Sequence, residues 1–214
     1  MRDSTLINSG NYGYSLNRVV LNEISDKSVC LDVGCWTGNL GKALIVEKHC
    51  VVDGVDVRAD VLKKAEKNGY RKTYLINFNN EEINFEQLNQ KYDVIICADI
   101  LEHLINPEIV LKNLIKMISP NGKIIISLPN VAFLLNRILL LLGKWEYREF
   151  GTLDKTHLRF YTISSLARMV ESVGLEIESI KPYNQFGILR YIKPLTFLFP
   201  TLFAYQIMIV AKQK

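Results

Sequence analysis

Short, continuous apolar runs alternate along this chain with stretches in which apolar residues recur every three or four positions. The β-rich runs at 29–33, 51–57, 73–77, 92–98 and 123–128 predict strands. The periodic stretches at 39–48, 59–68 and 107–118 predict helices, with a weaker helical pattern near 82–90. Pro107 suits the first turn of a helix, and Ser119, Pro120, Asn121 and Gly122 form a stop-and-turn signal. Strands that read as unbroken apolar runs are covered on both faces. The alternation therefore predicts a parallel sheet between two layers of helices. After Leu128 the rhythm changes. An apolar helix is expected over 131–142, followed by Gly143, Lys144 and an aromatic, charged stretch. A helix over 162–173, capped by Thr162 or Ser164, ends at Gly174. Strands are expected at 175–180 and 204–211, the second preceded by a Pro-bounded apolar loop at 194–200.

Composition narrows the picture. With 49% apolar and 22% charged residues, the 214-residue chain can bury a core and is not a disordered segment. We expect a single domain over 1–214, with 129–160 inserted as a substrate cover. The net charge of +4 is mild and its Lys and Arg are scattered, so no nucleic-acid partner is expected. Cys30, Cys35, Cys50 and Cys97 form no CxxC pair, and no His stands at a metal-finger spacing. Free thiols in a reducing compartment are expected. The first thirteen residues hold no apolar core, which argues against a signal peptide. Residues 131–142 contain Asn136 and Arg137, and residues 188–210 are broken by Arg190, Lys193, Pro194 and Pro200. Neither matches the roughly 20 apolar residues of a helical span. The expectation is a cytoplasmic protein that at most lies on a membrane surface.

The most informative segment is 29–44, VCLDVGCWTGNLGKAL. A strand stops on Asp32, a turn holds Gly34 and Gly38, and a helix begins. Such a turn lets backbone approach a ligand and presents unpaired N–H groups at a helix start. A second acidic residue, Asp56, ends the next strand run, where a carboxylate can accept hydrogen bonds from ribose hydroxyls. Asp53, earlier in that run, reads as a surface or strand-start residue. The 29–44 segment resembles the first motif of the Rossmann-like, S-adenosylmethionine-dependent methyltransferases. It departs from their usual form at the middle glycine, where Trp36 stands. The resemblance implies a mostly parallel seven-stranded sheet with an antiparallel last strand, and S-adenosyl-L-methionine as cofactor. It places Asp32, Gly34, Cys35 and Gly38 around the amino-acid portion and Asp56 at the ribose, with Val57 following as an apolar contact. Asn77 and Phe78 fall at the adenine, and Ala98 and Asp99 at the tip of the fourth strand. A dinucleotide fingerprint would need glycines where Trp36 and Asn39 stand, which disfavours a nicotinamide-dependent oxidoreductase. A cofactor-binding protein without catalysis is the other alternative.

Residues 92–131, with CADILEHL and a strand ending in LPN, closely resemble a large branch of the same methyltransferases. Some relatives use a Glu–His pair here for a divalent metal. Neighbouring residues on a helix diverge by about 100 degrees, so Glu102 and His103 read first as capping or pairing residues; no metal ligands are assigned, and a metal-assisted reaction using Glu102, His103 and His157 stays open. The segment GTLDKTHLRFYT, 151–162, resembles methyltransferases often associated with sugar and polysaccharide modification. If extended, it puts His157, Arg159 and Tyr161 on one face. His157 is a candidate base and Arg159 a candidate anchor for an anionic group; both also suit a purely structural brace. The expected partner is a small-molecule or glycan acceptor carrying a hydroxyl. The greasy 131–142 and 186–203 segments form core and lid, or else approach a lipid-linked acceptor. Oligomeric state is not legible in the sequence.

Overall fold

The computed structural model describes residues 16–80, 82–184 and 193–214. The N-terminal segment at 1–13 and residues 186–192 of the apolar loop lie outside the described residues. Seven strands form one sheet: β1 (Val29–Val33), β2 (Val51–Asp56), β3 (Lys72–Leu75), β4 (Tyr92–Ala98), β5 (Ile118–Pro129), β6 (Leu175–Tyr183) and β7 (Gln206–Gln213). Their order is β3-β2-β1-β4-β5-β7-β6. The first five are parallel, and β7 runs antiparallel between β5 and β6, as the family resemblance implied. The chain leaves β1 toward β2 and β3 on one side, then crosses to β4 and β5 on the other. This reversal opens a crevice beyond the carboxyl ends of β1 and β4, where open α/β sheets bind ligands.

Alternate residues of each strand feed opposite faces. Leu31, Val33, Ile95, Cys97, Ile124 and Ile126 pack with α4 (Pro107–Ile115) and α6 (Ile163–Ser172). Cys30, Val52, Val94, Ile96 and Ile125 pack with α1 (Arg18–Asn22), α2 (Asn39–Lys48) and α3 (Ala59–Lys67). All four cysteines are free and buried, as expected. Thr162 caps α6 through a reciprocal pair with Ser165.

Four expectations are corrected. The pattern near 82–90 yields only a 3-10 turn at Phe85–Gln87. The Ser-Pro-Asn-Gly run does not end an element. It bulges out within β5, whose register jumps from Tyr92↔Ile118 to Val94↔Lys123. Residues 194–200 are not a loop, since α7 (Lys193–Leu198) and α8 (Pro200–Phe203) occupy them. Asp53 is fully buried rather than on the surface. Arg71 grips it with Nε at 2.8 Å and Nη2 at 2.6 Å, and the Tyr92 hydroxyl donates to it at 3.0 Å. The helix between β5 and α6 is α5 (Leu134–Leu141), inside the 129–160 segment.

Candidate active site

A cavity of about 600 Å³ opens at the carboxyl ends of β1, β2 and β4. Asp32, Gly34, Cys35, Asp56, Val57, Ala98, Asp99 and His157 all line it. A smaller recess of about 120 Å³ shares Gly34, Asp56, Val57, Ile100 and His103 with it, and contains Asn77 and Phe78. Nine of the ten residues expected at the cofactor thus face two adjoining spaces. Gly38 does not line either. Its φ of 80° starts α2, and a Cβ there would lie 2.8 Å from the Ala65 Cα, so this glycine serves the packing of α2 on α3.

The strand-end loop closes on β2 through Gly34 N–H and Cys35 N–H, which both donate to the Val55 carbonyl at 2.8 and 3.0 Å. That brings Asp32 and Asp56 to one wall. The Asp32 carboxylate accepts the Tyr70 hydroxyl at 2.6 Å, and Tyr70 in turn receives the Gly41 N–H at 3.1 Å. Burial raises the Asp32 carboxyl to about 6, although the Tyr70 hydrogen bond opposes the shift. Asp56 accepts two backbone N–H groups, from Trp36 at 2.9 Å and from Arg58 at 3.0 Å. Trp36, which stands where the resemblance implies a glycine, adopts a left-handed backbone with φ 48°. Its indole lies at the cavity edge, with the Arg58 guanidinium carbon 4.7 Å from the ring centroid. The indole is therefore part of the wall and leaves the crevice open.

At the opposite side, residues 101–103 form a 3-10 turn rather than an α-helix. Glu102 and His103 both reach the cavity there, which the 100-degree argument did not anticipate. Glu102 is buried, and neither carboxylate oxygen has a hydrogen-bond partner among the described residues. Burial, then repulsion from Asp99, holds its carboxyl well above the usual range. His157 Nε2 lies 3.9 Å from Glu102 Oε1. The His103 and His157 rings meet edge to face with centroids 4.9 Å apart. Burial, then the neighbouring His103, pushes the His157 imidazole below its ordinary value. Both members of the Glu102–His157 pair are thereby favoured in their neutral forms. Asp99 adopts φ 53° and accepts the Gln206 amide at 2.9 Å, while burial lifts it to about 7.

The 151–162 segment is a succession of turns and bends, so the expected alternation of faces is not realised. His157 turns into the cavity, but Arg159 lies outside its lining and donates from Nη2 to the Ile105 carbonyl at 2.6 Å. The Leu158 and Arg159 N–H groups both donate to the Glu102 carbonyl, tying this segment to the 3-10 turn. Sequence reasoning did not single out Tyr70 or Thr37. Thr37 Oγ1 is buried on the cavity wall without a partner among the described residues.

Residues 12–180 match the family described as a methyltransferase domain. Over 152 residues the chain is 29% identical to a ubiquinone biosynthesis O-methyltransferase of Coxiella burnetii. That alignment covers 70% of this chain and 64% of the relative. A protein of the same description from Rickettsia bellii is 33% identical over 168 residues, covering 75% of this chain and 66% of that one. The chain thus spans somewhat under two thirds of the length of these two relatives. A SAM-dependent methyltransferase from Archaeoglobus fulgidus shares the fold with a TM-score of 0.66 at 19% identity. That comparison covers 92% of this chain and 90% of the other. The fold, the crevice at its strand reversal and the family match over most of the sequence agree: this chain belongs to the methyltransferase-domain family.

Proposed function

We propose that the chain is an S-adenosylmethionine-dependent O-methyltransferase acting on a hydroxyl of a small molecule. One observation carries the reading. Two carboxylates suited to the ammonium and ribose of the cofactor, Asp32 and Asp56, share a single cavity with a histidine, His157, whose pKa burial lowers. Asp32 would hold the ammonium group, Asp56 the ribose hydroxyls, and Val57, Asn77 and Phe78 the adenine. The bound cofactor supplies an electrophilic methyl group on a sulfonium. The protein's own contribution is to position the acceptor and accept its proton. His157 is the base, since its lowered pKa keeps a lone pair free at neutral pH. Once His157 is protonated, its charge 3.9 Å from Glu102 favours loss of the Glu102 proton to solvent through the open cavity, and the carboxylate left behind offsets the imidazolium. Arg159 is a brace that holds the Ile105 end of the turn. Segment 129–160 covers the acceptor side, since Gly151, Asp154, Thr156 and His157 close that wall.

The relatives named for ubiquinone biosynthesis favour an acceptor with a ring hydroxyl, while the THLRF motif favours a sugar hydroxyl. Calorimetry with S-adenosylhomocysteine, NAD and NADP side by side tests the cofactor. Binding of NAD in preference overturns the reading. A panel of nucleotide sugars, isoprenoid-linked glycans and prenylated phenols tests the acceptor. Affinity for S-adenosylhomocysteine without transfer to any of them would favour a non-catalytic binding protein.

A second reading is supported by the unpartnered Glu102 carboxylate. Ligand atoms of Glu102, His103 and His157 lie within 4.8 Å of one another, a spacing that suits a divalent cation. In that arrangement the cation would orient the acceptor oxygen and lower its pKa. Turnover that survives a strong chelator, with no heat of binding on adding magnesium, manganese or zinc, disposes of this version.

A further inference from the structure

Helix α5 is turned inside out. Its buried residue is the polar Asn136, which donates to the Thr152 hydroxyl at 2.8 Å and to the Val131 carbonyl at 2.9 Å. Leu135, Ile138, Leu141 and Leu142 point outward instead, with Leu141 87% exposed. A helix on a water-facing surface has the opposite arrangement. The neighbouring α7–α8 segment repeats the feature, with Phe197 83% exposed and Phe199 also open. The two are adjacent, because the Arg137 guanidinium donates to the Thr201 carbonyl at 3.3 Å and the Phe133 and Tyr205 rings meet at 5.5 Å. Apolar area of this extent, continuous across two elements, marks an interaction surface.

Charge and aromatic placement identify what it meets. No acidic residue occurs over 133–144 or 193–213, where Arg137 and Lys144 are basic and exposed; Arg148 beyond them is flanked by Glu146 and Glu149, the latter paired with Lys155. Trp145 and Tyr147 follow the helix directly, in the position that amphipathic rings take at a headgroup boundary. Among the described residues no helix is long and apolar enough to cross a membrane, so the helix would lie on the surface. We propose that α5, α7 and α8 form a docking surface for a lipid bilayer carrying anionic headgroups. The Trp145 ring lies 5.7 Å from that of Phe160, which lies 6.3 Å from His157. An apolar path thus leads from the docked face to the cavity, and it suits an acceptor with a lipid tail. The docking itself does not depend on the methyl-transfer reading.

Co-sedimentation of the full chain with phosphatidylcholine vesicles, plain or doped with phosphatidylglycerol, tests the proposal. The chain should pellet with the doped vesicles, less with the plain ones, and less at high salt. The double variant Leu141→Glu, Phe197→Glu should partition about 100-fold less while binding S-adenosylhomocysteine as before. Lys144→Glu, which leaves the apolar face whole, should weaken binding to doped vesicles only. The proposal is overturned if the chain stays in the supernatant with every vesicle, or if the double variant pellets unchanged. It is also overturned if ultracentrifugation shows a dimer that the double variant splits, since the patch would then be covered by a second copy. Retained affinity for S-adenosylhomocysteine in any of these outcomes leaves the proposed enzymatic function standing.

Discussion

His157 Nε2 lies 3.9 Å from Glu102 Oε1, and the segment carrying His157 is hydrogen-bonded to the backbone carbonyl of Glu102 itself. The turn after β4 and the 151–162 segment are therefore locked together where the proposed proton acceptor stands. Replacing His157 by Ala should lower kcat by about 10²- to 10⁴-fold and leave affinity for S-adenosylhomocysteine unchanged. Glu102→Gln keeps the shape but removes the ionisable group, so it should lower kcat less and shift the acidic limb of the pH profile. Full turnover in His157→Ala with the true acceptor would refute the base assignment.

The acidic limb itself has a defined position. Because burial and His103 lower the His157 pKa, the imidazole stays neutral below its ordinary value. The rate in the enzyme–cofactor–acceptor complex should therefore begin to fall only below about pH 6.5. A limb above pH 7, measured as kcat against pH, would assign the titration to another group.

Cofactor affinity should have its own pH dependence, set by Asp32. With its pKa raised to about 6, Asp32 is protonated at pH 5 and cannot pair with an ammonium group. Affinity for S-adenosylhomocysteine should be about tenfold weaker at pH 5 than at pH 7.5, since the ionised fraction falls tenfold per unit below the pKa. Near pH 6 binding should release a proton, seen calorimetrically as a heat that varies with the buffer. Asp32→Asn should bind about 10- to 100-fold more weakly, with a flat profile over that range.

Gly41 lies on α2, outside both cavities, yet a Cβ there would fall 2.2 Å from the Tyr70 hydroxyl. Gly41→Ala must displace the ring that hydrogen-bonds to Asp32. We expect a loss of about 1–3 kcal/mol in stability from overpacking together with weaker binding of S-adenosylhomocysteine. Tyr70→Phe removes only the hydroxyl and should weaken binding with little loss in melting temperature. Unchanged affinity in both variants would show that Tyr70 does not position Asp32.

Asp53 and Asp56 are three residues apart on the same strand, and their substitutions should separate cleanly. Asp53→Asn leaves Arg71 without its bidentate partner; with that guanidinium about one third exposed, the cost should be about 2 kcal/mol, read as a lower denaturation midpoint. Asp56→Asn should cost little stability but weaken cofactor binding. The reverse pattern would exchange the structural and functional roles of the two carboxylates.

Much of this was legible because it is local. The boundaries of β1, β4 and α2 follow from apolar runs and the glycines and polar residues that bracket them. Asp32 and Asp56 stand where the sequence put them, at the ends of apolar strand runs: Asp56 is the last residue of β2 and Asp32 the last but one of β1. Asp53 was misread for the complementary reason. Its burial depends on Arg71 and Tyr92, which arrive just before β3 and at the start of β4, and nothing within its own strand announces them. The failed extended reading of 151–162 has the same origin. Its backbone is bent by hydrogen bonds to Glu102, so a period-two pattern that would have held in a free strand was overridden.

By itself the sequence determined the succession of strands and helices and the two acidic strand tips. Short-range sterics, apolar periodicity and turn chemistry act over a few residues and need no partner. Only the tertiary structure decided that Glu102, His103 and His157 face one another, that Arg159 donates to the Ile105 carbonyl outside the cavity lining, and that α5 exposes leucines while burying an asparagine. Those outcomes depend on which distant surfaces exclude water from each group, and burial of that kind is a property of the packed chain.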